Sequence, residues 1–432
     1  MSNRFDPKPP RREYRDRRLK AVCVVLLVWV SVSLLHWRPE TQWLLIAFTG
    51  ILLVQTTRML LANPIAPFHP VDENLPLVTI LVPAQNEQAV LANLVHSLFD
   101  LDYPASHLDI WVIDDGSTDA TPQLLAALQR QFPRLQVYRR EAGGGKSGAL
   151  NAVLPYTRGD VVLICDADAQ LPADFLQSTA ALCDRGAVGA VQVRKSISNQ
   201  QTNFLTRCQQ MELSCDSWLQ IHRTEIGGMC ELRGNGMFVR RSLLEACQGW
   251  QEDTVTDDLD LTFRLYLAKT EIAFVSAIAI QEEGSTTWRS LWRQHCRWAE
   301  GGYQRYLDYF PQLLRLGWAK ELDLLLFFVL QFLLPIALIP DLLWTLFYSH
   351  RPILVPLQML FSLILTVAFI GGIRRYQNIR GVALLWATVL ASGYMLHWIP
   401  IMIITTLRLC GHPQRLQWHK TEHHGYKVEE PC

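Results

Sequence analysis

Apolar residues are gathered into long blocks near the two ends of this chain. Two apolar runs cover residues 21–37 and 43–61, and three more cover residues 322–348, 353–373 and 382–405. A helix needs about 20 mostly apolar residues to cross a bilayer. We therefore predict two transmembrane helices at residues 21–61 and a transmembrane block at residues 322–405.

The region between these blocks has a different pattern, in which short β-rich runs alternate with segments of helical spacing, as in an α/β domain. Three runs end in polar or acidic turns, at residues 77–87, 108–121 and 161–170. We expect a mostly parallel sheet, and ligands bind at the carboxyl edge of such sheets. The sequence therefore predicts a nucleotide pocket where the turns meet.

Composition favours a membrane protein in a reducing compartment. Half of the 432 residues are hydrophobic and the mean hydropathy is +0.10, which is too apolar for an ordinary soluble protein. The ten cysteines lack C-x-x-C or metal spacing, so we expect reduced core residues and no disulfides. The net charge is zero, and we expect no nucleic-acid partner.

Basic residues predict the orientation of the chain in the membrane. The basic tail at residues 1–20 is expected to stay in the cytoplasm, and two crossings then return the chain there, which makes the central domain cytoplasmic. The sequence is compatible with four or with five membrane crossings in total, because the loop around Arg374 and the tail at residues 406–432 are both basic. Pro335 and Pro340 favour a kinked, re-entrant or interfacial segment.

Asp166 and Asp168 follow the buried run at residues 161–164. Side chains two residues apart on an extended chain point the same way, so these two charges lie close together and need a cation. Carboxylate oxygens suit Mg²⁺, or Mn²⁺, better than zinc, and Mg²⁺ completes its shell with substrate phosphates. A surface turn is the simpler interpretation of an isolated pair, but the neighbouring motifs favour a metal site.

Further polar groups are expected at the same edge. The polar residues of the two earlier turns include Pro83, Asn86, Glu87 and Asp115, for which helix capping is the alternative explanation. The segment EAGGGKSGALN at residues 141–151 combines glycines with Lys146, and backbone N–H groups with a point charge suit a diphosphate. It is not the ATPase phosphate loop, which needs a glycine where Arg140 stands; a flexible loop is the alternative.

Two later segments carry candidate acceptor and catalytic groups. Gly234 and Asn235 belong to a G-N-G sequence, which is typical of a tight hairpin turn but also lets a sugar or acceptor lie against the backbone. Asp257 and Asp258 stand at the start of a predicted helix that also contains Asp260. Capping explains one such acid better than three, so a carboxylate here is a candidate general base.

Residues 288–313 are predicted to form an amphipathic interfacial region. Arginines interleave there with tryptophans and tyrosines, as in a helix at a membrane surface. Gln294, Arg297 and Trp298 are candidates for a further role, because arginine can bind a diphosphate and tryptophan can stack on a sugar or acyl acceptor.

Together these motifs resemble the membrane-bound, inverting family 2 glycosyltransferases, the group that contains cellulose, hyaluronan and chitin synthases. VPAQNE, VIDDGSTD, GGGKSGALN, DAD, TDD and QHCRW occur in the family's order. The resemblance implies a Rossmann-like GT-A catalytic domain at residues 77–287, a UDP-sugar donor and Asp258 as catalytic base, with Asp257 where the family has Glu. The candidate donor-binding residues are Pro83, Asn86, Glu87, Asp115, Lys146, Asp166, Gln294 and Arg297, and the candidate acceptor-binding residues are Gly234, Asn235, Asp257 and Trp298.

A narrower resemblance is to the cyanobacterial β-monoglucosyldiacylglycerol synthases. ELRGNGMFVRR, RWAEGGYQRYLDYF, YMLHW and RLQWHKTEH look like segments of that group. This resemblance implies inverting transfer of glucose from UDP-glucose to the 3-hydroxyl of 1,2-diacylglycerol, in a plasma or thylakoid membrane. The motifs alone do not distinguish UDP-glucose from UDP-galactose or UDP-N-acetylglucosamine.

Two other functions compete with this one. A processive polysaccharide synthase shares the Q-x-x-R-W motif but needs a transmembrane tunnel, which a short, irregular membrane block supports weakly. A silent membrane receptor for a nucleotide sugar would not need Asp166, Asp168 and Asp258. A diacylglycerol acceptor fits the interfacial region at residues 288–313, because the lipid can present its hydroxyl from the bilayer.

Overall fold

The computed structural model describes residues 14–64, 75–141, 145–184 and 188–411, together with His423 and Gly425. Three predicted features lie partly outside the described residues. They are the basic tail at the start of the chain, the glycine-rich segment at Gly143 and Gly144, and the tail that follows residue 411.

A central sheet carries the α/β region. Within the described residues its strands are β1 (Val78–Ala84), β2 (Leu108–Asp115), β3 (Leu135–Arg140), β4 (Val161–Ile164), β5 (Val188–Ile197), β6 (Met237–Arg240) and β7 (Glu271–Glu282). Their order is β3-β2-β1-β4-β6-β5-β7. Strand β6 runs antiparallel to both neighbours, and the other pairs are parallel. The prediction of a mostly parallel sheet is confirmed.

Helices connect the strands and form both ends of the described chain. They are α1 (Tyr14–Trp37), α2 (Trp43–Leu60), α3 (Leu91–Phe99), α4 (Thr121–Gln131), α5 (Gly145–Val153), α6 (Phe204–Glu225), α7 (Arg241–Ala246), α8 (Asp257–Leu267), α9 (Trp288–Tyr309), α10 (Trp318–Phe327), α11 (Leu334–Tyr348), α12 (Val355–Tyr376), α13 (Gly381–Met395) and α14 (Trp398–Gly411).

The middle strands are buried on both faces. Leu81 and Ile164 belong to one apolar cluster, whereas Ile80 and Leu163 belong to another, and alternate residues of a strand point to opposite faces. Continuous apolar runs such as the one in β4 are typical of strands covered on both sides. In the register Leu81 pairs with Ile164, so the turns after β1 and β4 meet at one edge.

One face of the sheet shares its apolar core with helices from both ends of the chain. The cluster that contains Leu81 also contains Ala21 of α1, Leu324 of α10 and Ile401 of α14. Helix α9 lies among these elements, with Ala299 in the same cluster. The α/β region is therefore packed directly on the candidate membrane helices.

Five helical segments in the described ranges are long and apolar enough to cross a membrane: Asp16–Trp37, Pro39–Leu60, Trp318–Tyr348, Val355–Tyr376 and Gly381–Gly411. The third contains a π-helical stretch at Phe328–Leu333 and has Pro340 inside α11. In its most apolar window 61% of the residues are buried inside the protein, against 17% for the first segment. The irregularity expected near this proline is present, and the number of crossings stays a prediction.

The G-N-G sequence is not the tight hairpin turn that its composition favours. It leads into β6, which pairs with β4 and β5 and is separated from β5 in the chain by α6. Gly236 has a φ of +71°, and a Cβ there would lie 2.7 Å from Cγ2 of Ile280. Glycine is needed for this backbone conformation and for close packing against β7.

A buried ion pair joins α10 to α6. Asp323 is fully buried and accepts hydrogen bonds from the Arg223 guanidinium at 2.9 Å and from the Met229 N–H at 3.0 Å. Arg223 also lies 3.7 Å from Glu231. Removal of Asp323 deprives the buried Arg223 of its close, hydrogen-bonded partner, and breaking a buried pair costs about 3–5 kcal/mol.

We expect Asp323→Ala to lower the thermal unfolding temperature in detergent by roughly 5–10 °C. Asp174→Ala is the matched control, because Asp174 is exposed and its loss should change that temperature little. Equal unfolding temperatures for the two variants would show that the buried pair is not a main source of stability.

Candidate active site

The turns after β1 and β2 are joined by Asn86. Its backbone N–H donates to Ser117 Oγ at 2.8 Å, and its side-chain Oδ1 accepts from the Thr118 N–H at 2.7 Å. The residue has a φ of +57°, a conformation that asparagine tolerates better than most residues. Asn86 therefore holds the two turns together, and its predicted contact with a donor is not tested by these bonds.

The other residues predicted in these turns lie at the same edge. Pro83 is half-buried at the end of β1, and Glu87 is buried. Asp115 forms an ion pair with Arg140 at 3.0 Å. The positive charge of Arg140, which precedes the glycine-rich segment, is therefore already compensated. Arg140 lies at the end of β3. The sequence analysis used this residue only to exclude the ATPase phosphate loop and did not predict its ion pair.

Lys146 lies among three acids. Helix α5 begins at Gly145, which places Lys146 in its first turn, and the ammonium forms an ion pair with Asp166. Burial disfavours the charged lysine, but Asp166 and Asp257 outweigh this effect and raise its pKa. The same pairing lowers the pKa of Asp166 in spite of burial. A fixed cation is thus held where a diphosphate was predicted.

Asp168 has different partners from Asp166. Its Oδ2 accepts a hydrogen bond from the Glu283 N–H at 2.7 Å and lies 3.7 Å from His423 Nε2. Burial raises the pKa of Asp168 to about 6, with opposition from His423 and support from Asp166. Burial therefore outweighs the nearby His423 in its effect on the pKa of Asp168.

The donor set fits a hard divalent cation that retains water. Among the residues that the structure describes, no group of three or more His, Cys, Asp or Glu side chains is placed to hold a metal ion. Two neighbouring carboxylates, Asp166 and Asp168, supply oxygen ligands, and Mg²⁺ or Mn²⁺ can take its remaining ligands from phosphate and water.

The three acids at the start of α8 have separate environments. Asp260 is buried and bonded to Arg264 and to Tyr309, both at 2.7 Å, so it is a structural residue. Asp257 accepts a hydrogen bond from Ser147 Oγ at 3.2 Å. Burial, together with the charge of Asp257, raises the pKa of Asp258 to about 6. Asp258 is the acid whose surroundings suit a general base.

Gly234 and Asn235 form the wall beside these acids. A Cβ on Gly234 would lie 3.2 Å from Asp258 Oδ2 and 3.5 Å from Lys146 Nζ. The fully buried Asn235 accepts from the Asp166 N–H at 3.1 Å and donates to Glu282 at 3.2 Å. Its side chain thus orients Asp166, a role that the sequence prediction missed, and its contact with an acceptor stays a prediction.

Helix α9 carries the remaining predicted residues, Gln294, Arg297 and Trp298. Arg297 lies in the electrostatic field of Asp166, Asp257 and Asp258, and burial lowers its pKa. Gln294 accepts from Ser285 Oγ at 3.5 Å, a long contact. Trp298 is half-buried and stacks on the ring of His295 with 4.9 Å between centroids.

Sequence reasoning missed two basic residues at this edge. Lys195 forms an ion pair with Glu282 at 2.8 Å, and Asp166 and Asp258 help to raise the pKa of this lysine against its burial. His423, from the chain's far end, contacts Glu87 at 3.0 Å. The position of Lys195 near the end of a buried apolar run could have indicated its role. No local sequence pattern connects His423 to this edge.

The arrangement can bind an anion next to a base. Lys146 and Arg297 supply positive charge near Asp166, Asp257 and Asp258, and both Lys146 and Asp258 lie beside the wall at Gly234. Asp258 Oδ2 lies so close to Gly234 that a Cβ at this position would approach it to 3.2 Å. Such a site can stabilise a departing diphosphate while it removes a proton from an acceptor.

Comparisons with known proteins bear on the family and the fold of this chain. A family model described as Glycosyltransferase like family 2 matches residues 76–301. The chain is 45% identical over 422 residues to a β-monoglucosyldiacylglycerol synthase from Nostoc sp., with 95% of this chain and 90% of that protein covered. It is 42% identical over 442 residues to a protein of the same name from Synechocystis sp., with 97% and 92% covered.

A solved structure with a similar fold is the mannosyltransferase PcManGT from Pyrobaculum calidifontis in complex with GDP-Man and Mn²⁺. The similarity covers 90% of this chain and 99% of that chain, with a TM-score of 0.55 and 19% sequence identity. At this identity the likeness concerns the fold alone, and the predicted glycosyltransferase fold is confirmed.

Two glycines allow a matched test of the site wall. Gly234 and Gly227 have φ of +77° and +76°, so alanine imposes a similar backbone strain of about 1–2 kcal/mol at each. A Cβ at Gly227 meets only Ala319 Cβ at 3.6 Å, whereas a Cβ at Gly234 crowds Asp258 and Lys146.

We expect Gly234→Ala and Gly227→Ala to lose similar stability, while only Gly234→Ala lowers glycosyl-transfer turnover, by roughly tenfold or more. Thermal unfolding and initial rates measure the two effects. If both variants kept full turnover, the space beside Asp258 would not be part of the active site.

Proposed function

The chain belongs to the glycosyltransferase-like family 2, and from this premise we propose that it transfers glucose from UDP-glucose to the 3-hydroxyl of 1,2-diacylglycerol, giving β-monoglucosyldiacylglycerol. The observation that carries the proposal is the position of α9. This helix holds Arg297 beside the acids and packs on α1 and α14. A lipid can therefore bring its hydroxyl to the site from the bilayer. The names of the relatives at 42–45% identity support the same acceptor and hexose.

The reaction is a single displacement at the anomeric carbon. Asp258 takes the proton of the acceptor hydroxyl while that oxygen bonds to the anomeric carbon and the bond to the β-phosphate oxygen breaks. UDP leaves with the bonding electron pair. One displacement inverts the α-linked donor into a β-glucoside, and the raised pKa of Asp258, about 6, suits proton removal near neutral pH.

The donor is held by groups from several elements. Pro83, Asn86, Glu87 and Asp115 are the proposed uridine contacts. Lys146 and Arg297 supply the positive charge that a leaving diphosphate requires. Asp166 and Asp168 are the residues that would hold Mg²⁺ or Mn²⁺, and the bound ion would neutralise charge on the leaving group. Gln294 completes the proposed donor set.

The acceptor is proposed to lie between the wall at Gly234 and Asn235 and the ring of Trp298, with Asp257 near its glycerol. The reacting hydroxyl would then approach Asp258 from the side of α9. Because the tail before α1 is basic, we place the catalytic domain on the cytoplasmic side of a plasma or thylakoid membrane. The chain is thus proposed to be a multi-pass integral membrane protein.

Product analysis tests this function. Purified protein in detergent with Mg²⁺, radiolabelled UDP-glucose and diacylglycerol should give one labelled glycolipid that a β-glucosidase cleaves. Omission of diacylglycerol or addition of EDTA should abolish it, because the acceptor or the metal is then missing. A labelled high-mass polymer that forms without lipid would establish a processive polysaccharide synthase instead.

Asp258→Asn tests the base. This variant should fold and bind UDP-glucose but turn over roughly 100-fold or more slowly, since an amide cannot accept the proton. In the unmodified protein, kcat/KM should fall as the pH drops through about 6, because the protonated carboxyl is no longer a base. Near-normal turnover of the variant would remove Asp258 from this role.

A further inference from the structure

The last candidate membrane segment is interrupted close to the active site. Helix α13 ends at Met395 and α14 begins at Trp398. At this break, His397 Nδ1 bonds to the Tyr394 carbonyl oxygen, and His397 Nε2 lies 2.7 Å from His295 Nδ1 on α9. The break thus presents a polar side chain to the helix that carries Arg297 and Trp298.

A buried acid from α6 joins the same group. Glu212 accepts hydrogen bonds from the Tyr394 hydroxyl and from the Trp398 indole N–H, both at 2.9 Å. Its side chain is only 16% exposed, and burial raises its pKa to about 7 in spite of these two bonds. We call Glu212, His295, Tyr394, His397 and Trp398 the junction.

When both rings are neutral, the bonds assign the imidazole protons. A carbonyl oxygen only accepts, so His397 donates from Nδ1, and its neutral ring then accepts at Nε2. His295 therefore donates from Nδ1 and keeps a lone pair on Nε2, which lies 3.9 Å from Glu212 Oε2. Burial lowers the pKa of His295 well below its ordinary value, which agrees with a neutral ring. The junction thus holds a single orientation of both histidines.

Stacking connects the His295 ring to Trp298, the proposed acceptor contact on α9. The His295 ring lies between two indoles, with centroid distances of 4.9 Å to Trp298 and 4.5 Å to Trp398. Trp298 follows Arg297 directly and stands one helical turn after His295. Because residues three apart share a helix face, the position of the His295 ring determines where Trp298 can lie.

We propose that the junction is a positioning device for the acceptor lipid: through His295 it sets Trp298, so that the membrane helices shape the acceptor side of the active site. This inference rests on the proposed function. Most of the proposed donor side is held by the α/β region, since Lys146 pairs with Asp166 and the Asp166 N–H also donates to Asn235. Gln294 and Arg297 are the members of the donor set that share α9 with Trp298. Loss of a junction bond should therefore weaken use of diacylglycerol much more than use of UDP-glucose.

Three conservative variants test the inference. Trp398→Phe and Tyr394→Phe each remove one donor to Glu212 while they keep an aromatic ring in place. Trp386→Phe is the matched control, because Trp386 lies on α13, upstream of the junction, and is 63% exposed. KM and kcat for both substrates are measured in mixed micelles of stated diacylglycerol content, together with the thermal unfolding temperature.

We expect each junction variant to raise KM for diacylglycerol by about tenfold, the size of one net buried hydrogen bond. KM for UDP-glucose should stay near that of Trp386→Phe, and the loss of one buried hydrogen bond should lower the unfolding temperature by only about 2–4 °C. An unchanged KM for diacylglycerol, or equal losses for both substrates, would overturn the inference. Unmodified protein that makes no glucosyldiacylglycerol in this assay would instead overturn the proposed function, and the inference with it.

Discussion

Helix α9 carries charged residues into the protein interior, and the need of each for a partner governs how the structure is assembled. A buried charge is tolerated only when it is paired. The pairs are Arg17–Asp308, Arg408–Glu300 and Arg305–Glu231, at 2.7, 2.6 and 3.1 Å. Their partners come from α1, from α14 and from the segment before β6. The catalytic edge and the membrane helices are thus locked to a single helix.

The active site follows the opposite rule, since negative charge there exceeds the positive charge beside it. Lys146 compensates Asp166, but the pKa values of Asp168 and Asp258 stay raised, to about 6. Such a site favours a cation and a proton transfer over internal pairing. The buried charges of α9 are therefore paired, whereas the acids at the carboxyl edge of the sheet are compensated only in part.

The junction and the ion pairs connect the candidate membrane helices to the elements that carry the active site. Asp323 connects α10 to α6 through Arg223, and Glu212 connects α6 to the break before α14. The first contact uses Asp323, an acid within a candidate membrane segment, and an ionisable side chain in such a segment is expensive unless it serves the structure or the function. The membrane block thus contributes to the site as well as to anchoring.

The sequence by itself determined the parallel strands, the acidic turns that follow them and the family, because buried apolar runs and short motifs are local patterns. It also placed Asp258, Lys146 and Arg297 in one expected site, although it did not assign Asn235 its bond to Asp166. Only the tertiary structure decided which acids are paired: Asp260 is bonded to Arg264 and Tyr309, whereas Asp258 faces open backbone at Gly234. Likewise, only the fold brings His423 to Glu87 and His397 to His295, since contacts between residues more than 100 positions apart leave no periodic trace in the chain.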